Sequence, residues 1–390
     1  MRSSRIAFRC RRPVGLAVLV LVALGLIACS PSVPAPPGKA QLEVGEILRG
    51  DAAGYAQALE PRSFRFPADH GPHPAFRTEW WYFTGNLMAP NGRRFGFHLT
   101  FFRSALTPAS SAAPRTSAWA ADQLYMAHFA LADVAGDRTY AAERLSRAAL
   151  DLAGARAAPF AVWLLDWRAA SVDGAVGLFP LRLAARDGAV ALDLTLRSAK
   201  PLVLQGEAGL SRKSATPGNA SYYYSFSRLT AAGSVRVGEV EFAVEGTAWC
   251  DREWSTSALG AELVGWDWFA LQLAEGTELM IYRLRRADGT AAEFSRGTWI
   301  AADGAATRLR REEIVVTPVG EWRSPQTAAT YPAGFDLAVP RLGLRLAVTP
   351  WIADQELSLS VRYWEGAVRV EGERGDREVT GHGYMELTGY

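Results

Sequence analysis

The sequence predicts an all-β protein: antiparallel sheets closed into sandwiches or barrels, in two related domains, with few short helices. Three observations predict it. From about residue 78 onward, apolar residues recur with period 2, the repeat of a strand. Turn dipeptides separate these runs at short intervals. The segment 80–87 also returns, altered, at 266–273.

The first 28 residues read as an address rather than as structure. Arg2, Arg5, Arg9, Arg11 and Arg12 precede an unbroken apolar run from Val14 to Ala28. That run is too short to span a bilayer core of ~30 Å comfortably, and its flanks are those of a signal peptide. It ends Leu26-Ile27-Ala28-Cys29, which resembles the bacterial lipobox. The resemblance implies cleavage before Cys29 and a lipid on its thiol. Ser30 follows where an inner-membrane retention signal would have Asp, so the expected location is the outer membrane, facing the periplasm. Residues 29–58 carry the lipidated Cys and a Pro-rich tether, extended and semi-rigid over 30–40. With Cys10 removed and Cys29 lipidated, Cys250 is the only thiol left, so the body has no internal disulfide.

In the body, Phe95, Phe97, Leu99 and Phe101 point one way, and Gly96, His98, Thr100 and Phe102 the other. Leu192, Leu194 and Leu196 alternate with Asp193, Thr195 and Arg197; Val240, Phe242 and Val244 alternate with glutamates. The pattern returns at Leu342, Leu344 and Leu346, at Leu357, Leu359, Val361 and Tyr363, and at Val368 and Val370. Asn91-Gly92, Asp173-Gly174, Asp187-Gly188, Asp288-Gly289 and Asp303-Gly304 are hairpin signals. Helix candidates are confined to 45–59 and 140–150.

In the repeat, Trp80 matches Trp266, Tyr82 matches Trp268, Phe83 matches Phe269 and Leu87 matches Leu273. Each segment is followed by a turn and a second apolar strand, ending in Arg103 or Arg285. This favours two β-domains, 59–244 and 245–390.

Composition bounds the function. Apolar residues make up 49% and charged residues 21%, which excludes a disordered chain, a collagen and a coiled coil. Without the five N-terminal arginines, 37 basic side chains face 40 acidic ones. A body so balanced lacks the basic field that a nucleic-acid partner requires.

Four clusters carry more than strand grammar. Asp69, His70, His73 and Glu79 have the donor types of a zinc site, but their spacing matches no closed pattern, and loop histidines held by hydrogen bonds are the better reading. In 221–228, Tyr222, Tyr224 and Phe226 share one strand face and Tyr223 and Ser225 the other; this is a ligand wall or a core strand. In 249–255, Asp251 and Glu253 share a face about 7 Å apart. Two such carboxyl groups raise each other's pKa, the usual preparation of a general acid, unless arginines tie them into an ion-pair lattice. In 265–269, Asp267 lies opposite Trp266 and Trp268, and either the indoles or the carboxyl group line a cavity. No nucleophile elbow, phosphate loop, dinucleotide fingerprint or His-Glu-x-x-His is present.

Taken together, a series of longer motifs resembles one family. They are F-P-A-D-H-G-P-H at 66–73, E-W-W-Y-F-T-G-N-L at 79–87, F-G-F-H-L-T-F-F-R at 95–103, Y-Y-Y-S-F-S-R-L at 222–229, D-R-E-W-S at 251–255, G-W-D-W-F-A-L-Q-L at 265–273, Y-W-E-G-A-V at 363–368 and G-Y-M-E-L-T-G-Y at 383–390. In that order they are similar to the secreted AttH family, related to the carotenoid 1,2-hydratases. The resemblance implies two packed lipocalin-like antiparallel β-barrel domains and a small apolar ligand: a terpenoid, polyene or lipid. Relatives on this scaffold hydrate isoprenoid double bonds or steer polyene cyclisations, and AttH members are described as hydrolases or as companions of ABC transporters. No cofactor or metal is implied.

Hydration of a trisubstituted alkene needs an acid able to protonate carbon, here a carboxylic acid kept neutral by a dry pocket. The cation that forms rests on aromatic faces. Asp251, Glu253 and Asp267 are the expected acids. Trp80, Trp81, Tyr82, His98, Tyr223, Trp254, Trp266 and Trp268 are the expected ligand contacts. Three readings follow: a hydratase or lyase, a lipid carrier serving an ABC transporter, and, for want of a nucleophile, last of all a hydrolase. An enzyme should show a buried carboxyl group opening onto an aromatic cavity; a carrier should show all three acids tied to arginine.

Overall fold

Period-2 alternation is carried into two large antiparallel sheets. A computed structural model describes residues 42–43, 52–108, 117–172, 177–257, 259–260 and 262–390. The leader, Cys29, the 30–40 tether, part of the 45–59 helix candidate and the Asp173-Gly174 turn lie outside the described residues.

In the first sheet, Thr78–Met88 pairs on one side with Arg94–Ala105, which leads through Gln123–Asp133 to Arg138–Arg147. On its other side it pairs with Val240–Ser257, the last strand of the sheet. From there the order runs back through Ala220–Val237, Val190–Ser198, Leu181–Asp187, Trp167–Ser171 and Phe160–Leu164 to Ala153–Ala157. A meander whose first and last strands pair is the wiring of an up-and-down barrel. Its seam lies between Arg138–Arg147 and Ala153–Ala157.

The second sheet repeats the plan. Leu263–Leu273 pairs with Glu278–Arg286 and with Arg377–Leu387, the last strand. One arm continues through Arg296–Ile300 to Ala306–Arg310. The other runs through Val361–Arg374, Leu344–Pro350 and Thr330–Val339 to Val315–Arg323. In both sheets the seam follows the fourth strand, and the repeated Trp80 and Trp266 segments are the first strands. The lipocalin-like expectation holds, with two barrel-like sheets.

Three features differ from the sequence expectations. Residues 140–147 lie in the strand Arg138–Arg147, although Ala, Glu, Leu and Arg favour helix there. Ladder pairing with Gln123–Asp133 and the packing of Tyr140 and Ala142 on the first core override that propensity. The described residues include only single 3-10 turns, and 52–59 form a turn and extended backbone. The division at 244/245 falls inside the strand Val240–Ser257, which stays with the first sheet; the chain crosses to the second between Ser257 and Leu263. Gly92 and Gly304 turn their hairpins at φ +83° and +89°, a region that glycine enters without strain.

Both faces of the central strands are buried. Phe95, Phe97, Leu99 and Phe101 fill the first barrel with Phe83 and Trp167. Phe269, Leu271, Phe335, Trp364 and Met385 fill the second. A third apolar cluster, with Tyr82, Tyr223, Trp249, Trp268, Met280, Tyr282 and Tyr384, lies between the sheets. There the backbones come close: a Cβ built on Gly96 would lie 2.5 Å from Ala367 Cβ. Gly96→Val is therefore expected to destabilise the protein by about 1–3 kcal/mol through overpacking, measured as a lowered urea midpoint. An unchanged midpoint would contradict this close contact.

Candidate active site between the two barrels

Where the two sheets diverge, a cavity of about 440 Å3 opens between them. The first sheet contributes Trp80, Tyr82, His98, Tyr223, Asp251 and Glu253 to its wall. The second contributes Trp266, Trp268, Tyr282, Tyr363, Glu365 and Glu386. Leu124, Met126, Leu145, Leu284 and Val361 add aliphatic surface. Strand register places these groups. In the first sheet, Ser225, Asp251, Tyr82, Thr100, His128 and Glu143 form one cross-strand row. In the second, Tyr282, Trp268, Glu386 and Glu365 form another.

Three carboxyl groups on this wall are held by neutral donors. Asp251 accepts from Tyr223 Oη at 2.5 Å, Ser225 Oγ at 2.5 Å and Trp249 Nε1 at 2.6 Å. Burial pushes its pKa up to about 7, and those three hydrogen bonds only partly oppose the rise. Glu365 Oε1 accepts from Tyr82 Oη at 2.6 Å and lies 3.3 Å from His98 Nδ1, while Oε2 has no partner. Burial holds Glu365 well above the carboxylate range, against the Tyr82 hydrogen bond. Glu386, directly across the ladder, is raised by burial and by Glu365, against a hydrogen bond from Trp266. His98 is kept neutral by burial, its pKa lowered to about 3.

Glu253 is different. It accepts from the Ser221 hydroxyl and pairs with Lys213 Nζ at 3.1 Å. Burial pushes the Lys213 ammonium down, but Glu253 and Tyr282 more than offset this, so it lies above the ordinary lysine range. Its Nζ sits 4.6 Å from the Tyr282 ring centre.

The cavity thus gathers Asp251, Glu253, Trp80, Tyr82, His98, Tyr223, Trp266 and Trp268, as the sequence suggested. Trp81, Trp254 and Asp267 point elsewhere. Trp81 and Trp254 flank the Arg252 guanidinium at 3.9 and 5.2 Å in the first barrel. His73 stacks on Trp254 at 3.8 Å. Arg252 and Arg103 both bind Glu79, whose carboxyl group they hold far below its ordinary range despite its burial. Asp267 occupies the strand face opposite Trp266 and Trp268. It is bound by Arg283 and Arg285 at 3.1 Å each and accepts from Tyr390 Oη at 2.7 Å. Burial outweighs the two arginines and leaves its pKa raised. His70 Nδ1 meets Tyr224 Oη at 2.7 Å, and His73 bridges Asp69 and Glu79 at 3.1 Å. Cys250 is buried and free.

Sequence reasoning missed Glu365, Glu386, Tyr363, His128, Glu143 and Lys213. One signal could have found the first two. Trp249-x-Asp251 recurs in type as Tyr363-x-Glu365 and Tyr384-x-Glu386, an aromatic residue and an acid sharing one strand face.

The AttH-like family profile matches residues 57–390. The chain belongs to the AttH-like family. A solved structure described as an AttH protein, from Nitrosomonas europaea, is 37% identical, covers 86% of this chain and 99% of its own, and superposes with a TM-score of 0.74. Kievitone hydratase from Nectria haematococca shares the fold at 15% identity and TM-score 0.65, over 86% of this chain and 96% of its own. CghA does so at 15% and 0.52, over 87% and 97%. No curated protein matches. The AttH-like chain therefore has a hydratase-like fold.

The raised Asp251 carboxyl group has a consequence for stability. The unfolded chain loses this proton near the ordinary value of 3.8, and the folded chain only near 7. Between those values the folded state binds more protons, so stability falls as pH rises, by up to about 1.4 kcal/mol per pH unit from this group. Asp251→Asn should remove that part of the slope in urea midpoints compared at pH 4.5, 5.5 and 6.5. Parallel profiles for the two proteins would mean that Asp251 is ionised in the fold.

Proposed function

We propose that this AttH-like protein binds an apolar isoprenoid- or polyene-like molecule in the cavity between its barrels. There it adds water to, or isomerises, a carbon–carbon double bond, with Asp251 as proton donor. The observation that carries this reading is the Asp251 carboxyl group, buried on an aromatic wall and bonded by hydroxyl and indole donors rather than by guanidinium. A carboxyl group titrating near 7 can both give and recover a proton at neutral pH. In hydration, the proton passes from Asp251 to one alkene carbon, leaving a cation on the other. Water adds to that carbon and releases a proton. The faces of Trp266, Trp268 and Tyr82 can stabilise the cation by about 1–2 kcal/mol each when desolvated.

The other two readings fit less well. A passive carrier was expected to have Asp251, Glu253 and Asp267 all tied to arginine; Asp267 is bound by Arg283 and Arg285 and Glu253 by Lys213, but Asp251 is held by neutral donors alone. A hydrolase needs an activated nucleophile. Ser360, on the cavity wall, donates to the Glu143 carboxylate, whose pKa is lowered and which makes a weak base, rather than to an imidazole. Ser211 accepts from Lys213 at 3.1 Å, but Lys213 is held as an ammonium by Glu253.

The proposal extends to location: Cys29 carries a lipid that holds the protein at the periplasmic side of the outer membrane, where an ABC transporter could supply or remove the ligand. Cys29→Ala is then expected to move the protein from the membrane to the soluble periplasmic fraction; continued membrane association would refute the anchor.

Catalysis is checked with farnesene in deuterated water. Hydration should place one deuterium on carbon, and Asp251→Asn should lower the rate by about 10^2–10^4-fold while farnesene still binds. Undiminished turnover in Asp251→Asn would remove Asp251 as the acid.

A further inference from the structure

Beyond the acid, the cavity contains a second constellation, built from both sheets. His128 Nδ1 meets Tyr363 Oη at 2.7 Å, and His128 Nε2 meets Glu143 Oε2 at 3.0 Å. Ser360 donates its hydroxyl to the same Glu143 oxygen. Glu143 is partly exposed, with 23% of its side chain accessible, whereas His128 is buried. The chain Glu143–His128–Tyr363 therefore runs from near the surface to the cavity wall, where Tyr363 lies.

This chain fixes the direction of each hydrogen bond. A carboxylate only accepts, so Nε2 of His128 carries the hydrogen that faces Glu143. Nδ1 of the neutral ring then holds a lone pair, and Tyr363 must donate its hydroxyl hydrogen to it. With its hydrogen committed, Tyr363 Oη can offer a ligand only a lone pair. Its neighbour Glu365 is two residues along the same strand, with side chains on one face about 7 Å apart. Glu365 Oε1 already accepts from Tyr82, and its Oε2 is buried and unpartnered. A neutral Glu365 can therefore offer a hydrogen from Oε2. Beside Glu365, buried His98 has Nε2 without a hydrogen-bond partner, and its Nδ1 lies 3.3 Å from Glu365 Oε1. Buried polar atoms without partners are costly, and a ligand group that satisfies them binds more tightly.

We propose that Tyr363 and Glu365 form a binding site for an uncharged hydroxyl group, so that the ligand is an apolar alcohol rather than a pure hydrocarbon or an acid. The ligand hydroxyl donates to Tyr363 Oη and accepts from Glu365. An ether cannot donate to Tyr363, and a carboxylate would set a charge against its lone pair in a buried site. Tyr363 and Glu365 contact the ligand; His128 and Glu143 are positioning residues. The inference rests on the proposed function only in taking this cavity as the ligand site.

The test is binding, read by quenching of tryptophan fluorescence, with farnesol, farnesyl methyl ether, farnesene and farnesoic acid as probes. Farnesol is expected to bind about tenfold or more tightly than the other three. Tyr363→Phe, which keeps the ring, should reduce farnesol to the level of its methyl ether without weakening farnesene. In 15N NMR of the unliganded protein, His128 should carry its hydrogen on Nε2, and Glu143→Gln should release that preference. Equal binding of farnesol and farnesene, an unchanged preference in Tyr363→Phe, or a hydrogen on Nδ1 would each overturn the proposal. All probes are also measured in Asp251→Asn. Loss of turnover there with the alcohol preference intact supports both readings. An intact preference with no turnover in the unmodified protein overturns catalysis and leaves the hydroxyl site standing.

Discussion

Burial of both faces of the central strands sets the terms for the rest of this molecule. A barrel strand normally turns one face to its core and the other to water. Here Thr78–Met88 and Leu263–Leu273 each turn their second face to the partner sheet, so residues at nearly every position but the exposed ends must suit a dry environment. Polar side chains on the inner interface then have to find partners across it. Tyr82 reaches Glu365, Trp268 reaches Tyr223, and His128 reaches Tyr363. These bridges tie the sheets together and furnish the cavity at the same time.

The same constraint sorts the buried acids into two kinds. Glu79 is met by Arg252 and Arg103, and its charge is stabilised. Asp251 is met by Tyr223, Ser225 and Trp249, which offer dipoles but no charge. Burial is the largest influence on both, and only the partner's charge separates them. Two carboxyl groups fully enclosed in one sheet thus serve opposite ends. One is a structural anion locking residues 70–77 to the first barrel, and the other a carboxyl group that keeps its proton up to about pH 7. Two arginines overcome burial at Glu79, whereas hydroxyl and indole groups do not at Asp251.

Much of the fold was legible because alternation and turn chemistry are local. The Phe95–Phe101 face and the Asn91-Gly92 turn could be read directly, and the matching of Trp80 with Trp266 pointed to two equivalent first strands. The assignment of faces was less accessible. Alternation says that Asp267 opposes Trp266 and Trp268, but not which side faces the other sheet. Trp81 and Trp254 look like ligand contacts until Arg252 is found between them. Residues 140–147 have a helix-forming composition and become a strand by folding back in a hairpin onto Gln123–Asp133. Glu365 and Glu386 were visible only as members of longer motifs, because their significance comes from lying opposite each other in the ladder. The Glu143–His128–Tyr363 chain was still less visible, since Tyr363 lies 235 residues from His128.

The position of the hollow follows from side-chain size along the interface. At one end stand Gly96, Ala130, Ala132, Ala270 and Ala367, and the sheets meet closely there. Bonds between polar groups seal that end: Asn86 Nδ2 donates to Gly383 O at 2.9 Å, and Thr247 meets His382 at 2.7 Å. Toward the other end the same strands carry Trp80, Phe102, Trp266 and Tyr363, which hold the sheets apart. A wedge with a small-residue edge and an aromatic edge leaves space only where the large rings stand. Since both barrel interiors are packed with Phe, Leu and Trp, ligand volume cannot be gained inside either barrel without emptying a core. It can be gained at the interface by changing one ring at the open edge. The barrels therefore act as rigid supports, and the shape and chemistry of the cavity are set by the few residues that face each other between them.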